Sequence, residues 1–415
     1  MEAARSSAAA LALSLLTARA VRERAHEMLA LGEAGALPHW RVDRTKLDRV
    51  AAYVFDTMRR NYPSLEIPFH ARWRHFAAGG VDRWAKVAAS TPWRDGASRA
   101  RGALDLAIVS VLLDAGAGPD WRYRGEDGSL FSRSEGLAVA SFDMFARGAF
   151  SADPQDKLRA DASRLIAIEA SEIAKGFQAS AENPLVGLEG RAALLRALGR
   201  EVAAAPKIFA TRDAARPGGL FDHLVGTSAA SSRVGASSIL EAVLAHLGPI
   251  WPSRLSLAGI PLGDCWRHPA LRREDATNGL VPFHKLSQWL SYSLIEPLQE
   301  AGITVTEIDG LTGLPEYRNG GLFIDLEVLS LKRKEEAEAP HEVSSALVVE
   351  WRALTVALLD ETARLIRRSL GLDATALPLA KVLEGGTWAA GRRIAREKRA
   401  DGSPPLTIIS DGTVF

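Results

Sequence analysis

Residues 103–113 read ALDLAIVSVLL, apolar on nearly every face, and a run of that kind is stable only when protein surrounds it. Its length and composition predict a buried helix. Residues 343–370 form the longest candidate helix, with apolar side chains at three- and four-residue spacing and charges between them, and Gly371 follows as the stop. The same spacing predicts helices near residues 11–35, 45–60, 136–147, 187–204, 235–247, 284–301 and 388–398. The β-branched runs at 303–308 and 406–409 suit strands, but two runs cannot build a sheet-based core. Stretch 211–235, rich in Pro, Gly, Ser and Ala, and the charged stretch 332–342 are expected as surface loops within one body. The expected architecture is all-α: a single large helical domain over residues 1–415, with room for two lobes.

Charge and cysteine usage narrow the function classes. The 51 Lys+Arg nearly balance the 50 Asp+Glu, so neither bulk nucleic acid nor an anionic membrane is the expected partner. One cysteine, Cys265, allows no internal disulfide and no Cys-cluster zinc site. The Ala-Leu-rich run at residues 8–16 is preceded by Glu2 and followed by Arg19, Arg22 and Arg24, the wrong polarity for a signal peptide. No apolar run approaches the ~20 residues of a membrane span. A reduced, cytoplasmic location is expected.

Several standard chemistries leave no trace. There is no GxxxxGK[ST] loop, no GxGxxG after a predicted strand, no GxSxG elbow and no HExxH. Asp264 and His268 stand four apart in PLGDCWRHP, but Pro261 and Pro269 disfavour a regular helix, so a shared metal face is not expected. His70 and His75 in FHARWRHF are five apart and off helical register; hydrogen-bonded histidines beside stacked aromatics are the expected reading. Neither metal nor cofactor is predicted.

Four segments interrupt the helical pattern with glycines, aromatics and charges together. They are LLDAGAGPDWRYR at 112–124, LGPIWPSRL at 247–255 leading to PLGDCWRHP, VPFHKLSQW at 281–289 leading to EIDGLTGLPEYRNGG at 307–321, and PLAKVLEGGTWAAGRR at 378–393. Turns of this kind cap helices, and they are also where a rigid scaffold presents chemistry. Four in one chain point towards a pocket.

The strings HARWRHF, SVLLDAGAGPDW, SEGLAVASFDMF, NPLVGLEGRAALL, PIWPSRL, PFHKLSQWL, DGLTGLPEYRNGG, VVEWRALTVALLD, AKVLEGGTWAAGRR and the terminal SDGTVF resemble the uracil-catabolism family of fungi and bacteria, essentially end to end. That resemblance implies a pyrimidine-degradation route in which the uracil ring is opened on its ribose. Ribosylurea or its 5′-phosphate is the implied intermediate, and removal of urea from the sugar the implied step.

A fainter resemblance is to the queuosine salvage proteins, nucleotide N-glycosidases with a helical fold similar to helix-hairpin-helix DNA glycosylases. Lys285 and Gln288 keep the spacing of their KRAQ stretch, and Leu311 to Asn319 resemble their LTxFADYRVPQ, with Glu316 in place of Asp before Tyr317 and Arg318. Val349, Glu350, Trp351 and Arg352 are similar to their EVEIR, and Val382, Leu383, Glu384 and Trp388 to their LLDxxLW. The segment answering their NFCFW is the unlike VSVLLDAGAGPDW, which fits a different leaving group.

These resemblances imply N-glycosidic cleavage through an oxocarbenium-like state, which a carboxylate beside the anomeric carbon stabilises. Glu316 is the expected carboxylate, in a turn before Asn319-Gly320-Gly321 where backbone can approach a sugar; pairing with Arg318 on a surface turn is the plain alternative. Asp309, Glu384 and Asp120 are candidate partners for the leaving group, and the sequence does not choose among them. Lys285 and Arg318 would hold a phosphate or ribose hydroxyls, with Tyr317 beside them, or make ordinary ion pairs. Trp121 and Trp388 would wall the pocket or fill core. Arg352, with Glu350, would brace the site from a helix or lie solvated. Lys285 in a first helical turn after Pro282 favours a 5′-phosphorylated substrate, because free N–H groups there attract an anion.

The expected partner is therefore a small nucleoside- or nucleotide-derived molecule. The rivals are a metal-dependent ureido or amide hydrolase of the same route, for which histidine clusters are lacking, and a non-catalytic helical scaffold for its enzymes.

Overall fold

The computed structural model describes residues 2–227, 232–251 and 255–409. Residues 228–231 of the expected loop, residues 252–254 of PIWPSRL and the terminal SDGTVF lie outside the described residues. Helices dominate, and among the described residues strands occur only in two-stranded pairs. No helix there is long and apolar enough to cross a membrane. The chain forms two compact units: Met1–His70 with Pro252–Gln288 and Glu307–Phe415, and Ala71–Trp251 with Trp289–Thr306.

The first unit is organised around the helix Ala346–Leu370, which Ser345 caps by accepting from the Val348 N–H and which Gly371 ends in the left-handed region at φ +66°. Its residues from Leu347 to Leu359 are all buried, so it is a core helix rather than an amphipathic surface one. Ala18–Glu33 and Leu47–Asn61 pack against it. Arg22 on the first of these donates to Asp360 at 2.8 Å and to the Leu311 carbonyl at 2.8 Å, tying the loop after residue 310 to two helices. Trp40 stacks on Trp351 with ring centroids 6.4 Å apart and donates to the Leu347 carbonyl at 3.0 Å. Each such buried apolar side chain contributes about 1.5–3 kcal/mol.

Helix Tyr317–Asp325 packs on helix Trp388–Lys398. Their separation is set by glycine: a Cβ on Gly391 would stand 2.1 Å from the Arg318 carbonyl oxygen. Glu316 lies outside helix Tyr317–Asp325, in the turn before it. Asn319, Gly320 and Gly321, in a segment expected to interrupt the helical pattern, are helical, because Gly320 lets the helix close on the Trp351 indole, where a Cβ would meet the ring at 2.7 Å. The single helix expected over 11–35 is two, Glu2–Leu15 and Ala18–Glu33, since Thr17 caps the second by accepting from Ala20 N–H.

The second unit holds the predicted buried helix as Gly96–Leu112, opened by an Asp95–Ser98 capping box and buried almost continuously from Ala100. Arg133–Ala146, Leu188–Ala204 and Ala236–His246 match expected helices. The expected loop 211–235 contains a helix, Leu220–Thr227. A tertiary contact makes the difference: Arg101 takes Asp222 bidentately at 2.7 and 2.6 Å, and Gly218 N–H donates to the fully buried Asp105 at 2.5 Å. The runs at 303–308 and 406–409 yield the short strands Thr304–Thr306 and Ile408–Ile409, each paired in parallel with one other strand.

Candidate active site

In the first unit a two-stranded ribbon begins the construction. Cys265–Arg267 pairs antiparallel with Leu280–Pro282, Cys265 opposite Pro282, so Asp264 meets the chain where it enters helix Lys285–Glu300. The Asp264 carbonyl accepts from Phe283 N–H at 2.8 Å, and its carboxylate accepts from Lys285 N–H at 3.0 Å and from the Trp266 indole at 2.7 Å. Arg352 closes the group, donating to both carboxylate oxygens at 2.8 and 2.7 Å while lying over the Phe283 ring at 4.1 Å. Burial alone would raise the Asp264 carboxyl. The Arg352 charge and these four donated hydrogen bonds outweigh it and hold the group far below the ordinary carboxylate range. Arg352 is thus buried and engaged as a brace. Asp264 takes the Lys285 N–H at this helix start, so that one N–H is not offered to a phosphate.

Gln288, one turn into the same helix and fully buried, carries the construction to the next segment. It accepts from Thr312 N–H at 2.8 Å and donates to the Thr312 hydroxyl at 2.5 Å. Four residues later Glu316 caps helix Tyr317–Asp325, its two carboxylate oxygens accepting from the N–H groups of Asn319 and Arg318 at 2.6 Å each. Burial pushes the Glu316 carboxyl up, against the pull of those two N–H groups and of the Lys285 and His70 charges. Lys285 and Glu316 are therefore brought within electrostatic reach of one another. The Arg318 guanidinium donates to the Gly402 carbonyl at 2.8 Å and lies over the Tyr317 ring at 5.1 Å.

Glu384 sits in a π-helical turn, Leu383–Thr387, a widening of the helix that recurs at functional sites. Gly385 and Gly386 let the turn close on Ile67 and on Val54 and Met58, where added Cβ atoms would stand 2.8 and 2.6 Å from side chains. The Glu384 carboxylate meets His70 Nδ1 at 2.8 Å and accepts from the Tyr62 hydroxyl at 3.3 Å. His70 is anchored a second time by its backbone N–H on the Ala380 carbonyl at 3.0 Å, and its ring lies 6.3 Å from that of Trp388. Arg392 covers Trp388 at 4.7 Å. His70, Glu384 and Trp388 are neighbours, and the Lys285 and His70 charges act on Glu316, so the candidate group is a carboxylate, a cation, a carboxylate-held imidazole and an aromatic face. That set can bind a polar small molecule and move protons on it.

Other expected residues have partners of their own. Asp309 accepts from Arg367 and from Leu379 N–H, both at 2.5 Å, and so ties the long helix to the start of Leu379–Val382. Glu350, fully buried, accepts from His39 and Trp40 N–H at 3.2 and 3.3 Å. It also meets His268 Nε2 at 3.0 Å. His268 Nδ1 accepts from Ala270 N–H, which puts the proton on Nε2. Asp264 and His268 are thus each engaged with a different partner, and among the described residues no three His, Cys, Asp or Glu side chains group as metal ligands. Asp120 and Trp121 belong to the second unit, where Asp120 is exposed and Trp121 is buried and donates to the Phe177 carbonyl at 3.0 Å. His70 is, as read from the sequence, a hydrogen-bonded histidine beside an aromatic ring; its Glu384 partner, and Tyr62 as a member of the candidate group, were not marked there. The one available signal was His70 in FHARWRHF, which carries no local spacing to Glu384.

The chain is similar to two proteins over nearly its whole length. It is 37% identical over 411 residues to Protein urg3 of Schizosaccharomyces pombe, spanning 97% of this chain and 98% of that protein. It is 38% identical over 409 residues to Uracil catabolism protein 4 of Lachancea kluyveri, spanning 91% of this chain and 92% of that one. The resemblance drawn from the motifs is upheld by these names. Residues 14–415 match the family described as Protein of unknown function (DUF1688), and the chain belongs to that family.

Proposed function

We propose that this chain is an N-glycosidase of uracil catabolism that cleaves ribosylurea, or its 5′-phosphate, to urea and ribose or ribose 5-phosphate. The pathway is taken from the relative named for uracil catabolism. The chemistry rests on Glu316, a carboxylate fixed through both oxygens by backbone N–H groups and set beside Lys285 and His70. A carboxylate so held cannot swing away, and its negative charge favours an oxocarbenium-like transition state over the neutral ground state. On this reading it also takes a proton from the water that adds to the anomeric carbon. Trp388 offers a flat apolar face for a sugar or a urea plane. The helical architecture suits the glycosylase-like fold of the queuosine salvage proteins. A metal-dependent ureido hydrolase would call on Asp264 and His268, and both are engaged in internal hydrogen bonds. The ligand is a small molecule, not nucleic acid or membrane, and the near-balanced charge and lone buried cysteine suit a cytosolic enzyme.

The test is direct: pure protein is incubated with ribosylurea and with its 5′-phosphate, and urea is measured. Release from at least one is expected from the native protein and not from Glu316→Gln. No release from either substrate would remove this reading.

A further inference from the structure

Glu384 and His70 make an arrangement that the cleavage of a urea leaving group needs. Urea leaves poorly as an anion, so the nitrogen must be protonated as the bond breaks. His70 is held at two points: its N–H on the Ala380 carbonyl, and its ring Nδ1 2.8 Å from Glu384. Glu384 on Nδ1 sets the orientation of the ring, the orienting logic of an acid–base histidine, in which Nε2 carries the transfer. The two side chains are only 9% and 16% exposed, closed to bulk solvent yet not sealed off. Tyr62 fixes the other Glu384 oxygen at 3.3 Å, and the π-helical turn carrying Glu384 is pressed onto Ile67, Val54 and Met58. The ring lies beside Trp388, and its charge acts on Glu316, the carboxylate that the N-glycosidase reading assigns to the anomeric carbon.

We propose that His70, oriented by Glu384, is the acid that protonates the departing urea nitrogen. The inference rests on the N-glycosidase reading above. The C1′–N bond breaks and its electron pair passes to nitrogen, which receives the proton from Nε2 of protonated His70 and leaves as neutral urea. Water adds its oxygen to C1′ and gives a proton to Glu316. His70 ends neutral and Glu316 protonated. Solvent returns that proton to His70, so the net change is substrate plus water to urea plus sugar.

The experiment compares native protein, His70→Asn, Glu384→Gln and Glu316→Gln on ribosylurea and on p-nitrophenyl riboside in the same phosphorylation state. The nitrophenolate leaves without a proton. His70→Asn is expected to slow urea release by about 10²–10⁴-fold and nitrophenol release by less than about tenfold. Glu316→Gln should slow both. Equal losses on the two substrates in His70→Asn, or no loss on ribosylurea, would overturn the acid role while leaving the N-glycosidase reading standing. Where thermal melting shows His70→Asn unfolded, Glu384→Gln carries the same comparison: a loss concentrated on ribosylurea supports the role, and equal or absent losses overturn it. Native protein that releases no urea would overturn the N-glycosidase reading and the acid role together.

Discussion

Arg352 receives Asp264 side-on, nitrogen to oxygen 2.8 and 2.7 Å along two parallel hydrogen bonds, 88 residues apart in the chain and shielded from solvent. Breaking a buried pair by removing one partner leaves the other charge uncompensated and costs about 3–5 kcal/mol. Asp264→Asn is expected to lose that much, read as a lower midpoint in urea denaturation at unchanged slope. The pH sign follows from the depressed carboxyl. The folded chain keeps Asp264 deprotonated to lower pH than the unfolded chain does, so its contribution is present above about pH 3.9 and lost as pH falls below it. Native protein should lose stability across that acid range more steeply than Asp264→Asn.

Glu316→Gln keeps the shape and one acceptor for the helix cap but removes the charge. Its kcat on ribosylurea should fall by about 10²–10⁴-fold while substrate affinity changes little. Because burial raises the Glu316 carboxyl, the acid limb of the native kcat/KM profile should lie above the ordinary glutamate value of about 4.3. A native rate in this variant would make Glu316 a helix cap and nothing more.

Lys285 acts on Glu316 through its charge, and its backbone N–H is given to Asp264. Lys285→Ala should therefore lower kcat/KM on ribosylurea and on its 5′-phosphate by similar factors. A loss confined to the phosphorylated form, more than about tenfold or 1.4 kcal/mol, would instead assign Lys285 to the phosphate.

Gly391→Ala puts a methyl into the Arg318 carbonyl and must part the two helices that carry Glu316 and Trp388. Overpacking of this kind costs about 1–3 kcal/mol. Both the denaturation midpoint and kcat are expected to drop, because the cap moves with the helix.

Urea release should survive exhaustive chelation, since both Asp264 oxygens are taken by Arg352 and both His268 nitrogens by Glu350 and Ala270. Activity lost to chelator and restored by zinc or manganese would contradict this assignment.

Local rules were enough for the longest helices. An apolar run such as residues 103–113, or a long helical spacing closed by Gly371, constrains backbone and burial within a few turns, and both helices stand where the spacing puts them. Thr17 as a cap was legible by type but hidden inside a continuous apolar pattern. The order of the motifs also lay in the sequence, and Lys285, Glu316 and Glu384 came from it. Their partners did not. Helix Tyr317–Asp325 reads as a break in the helical pattern because its two glycines serve a close approach to Trp351 and Pro405, which no local pattern records. Nothing near Asp264 in the sequence names Arg352 as its partner, 88 residues on. His70 and Glu384 are 314 residues apart and meet only because a π-helical turn is pressed onto a helix of the N-terminal segment. Hydrophobic period is a property of neighbours along the chain, whereas hydrogen-bond partners of buried charges are chosen by desolvation, and desolvation exists only once the core has closed.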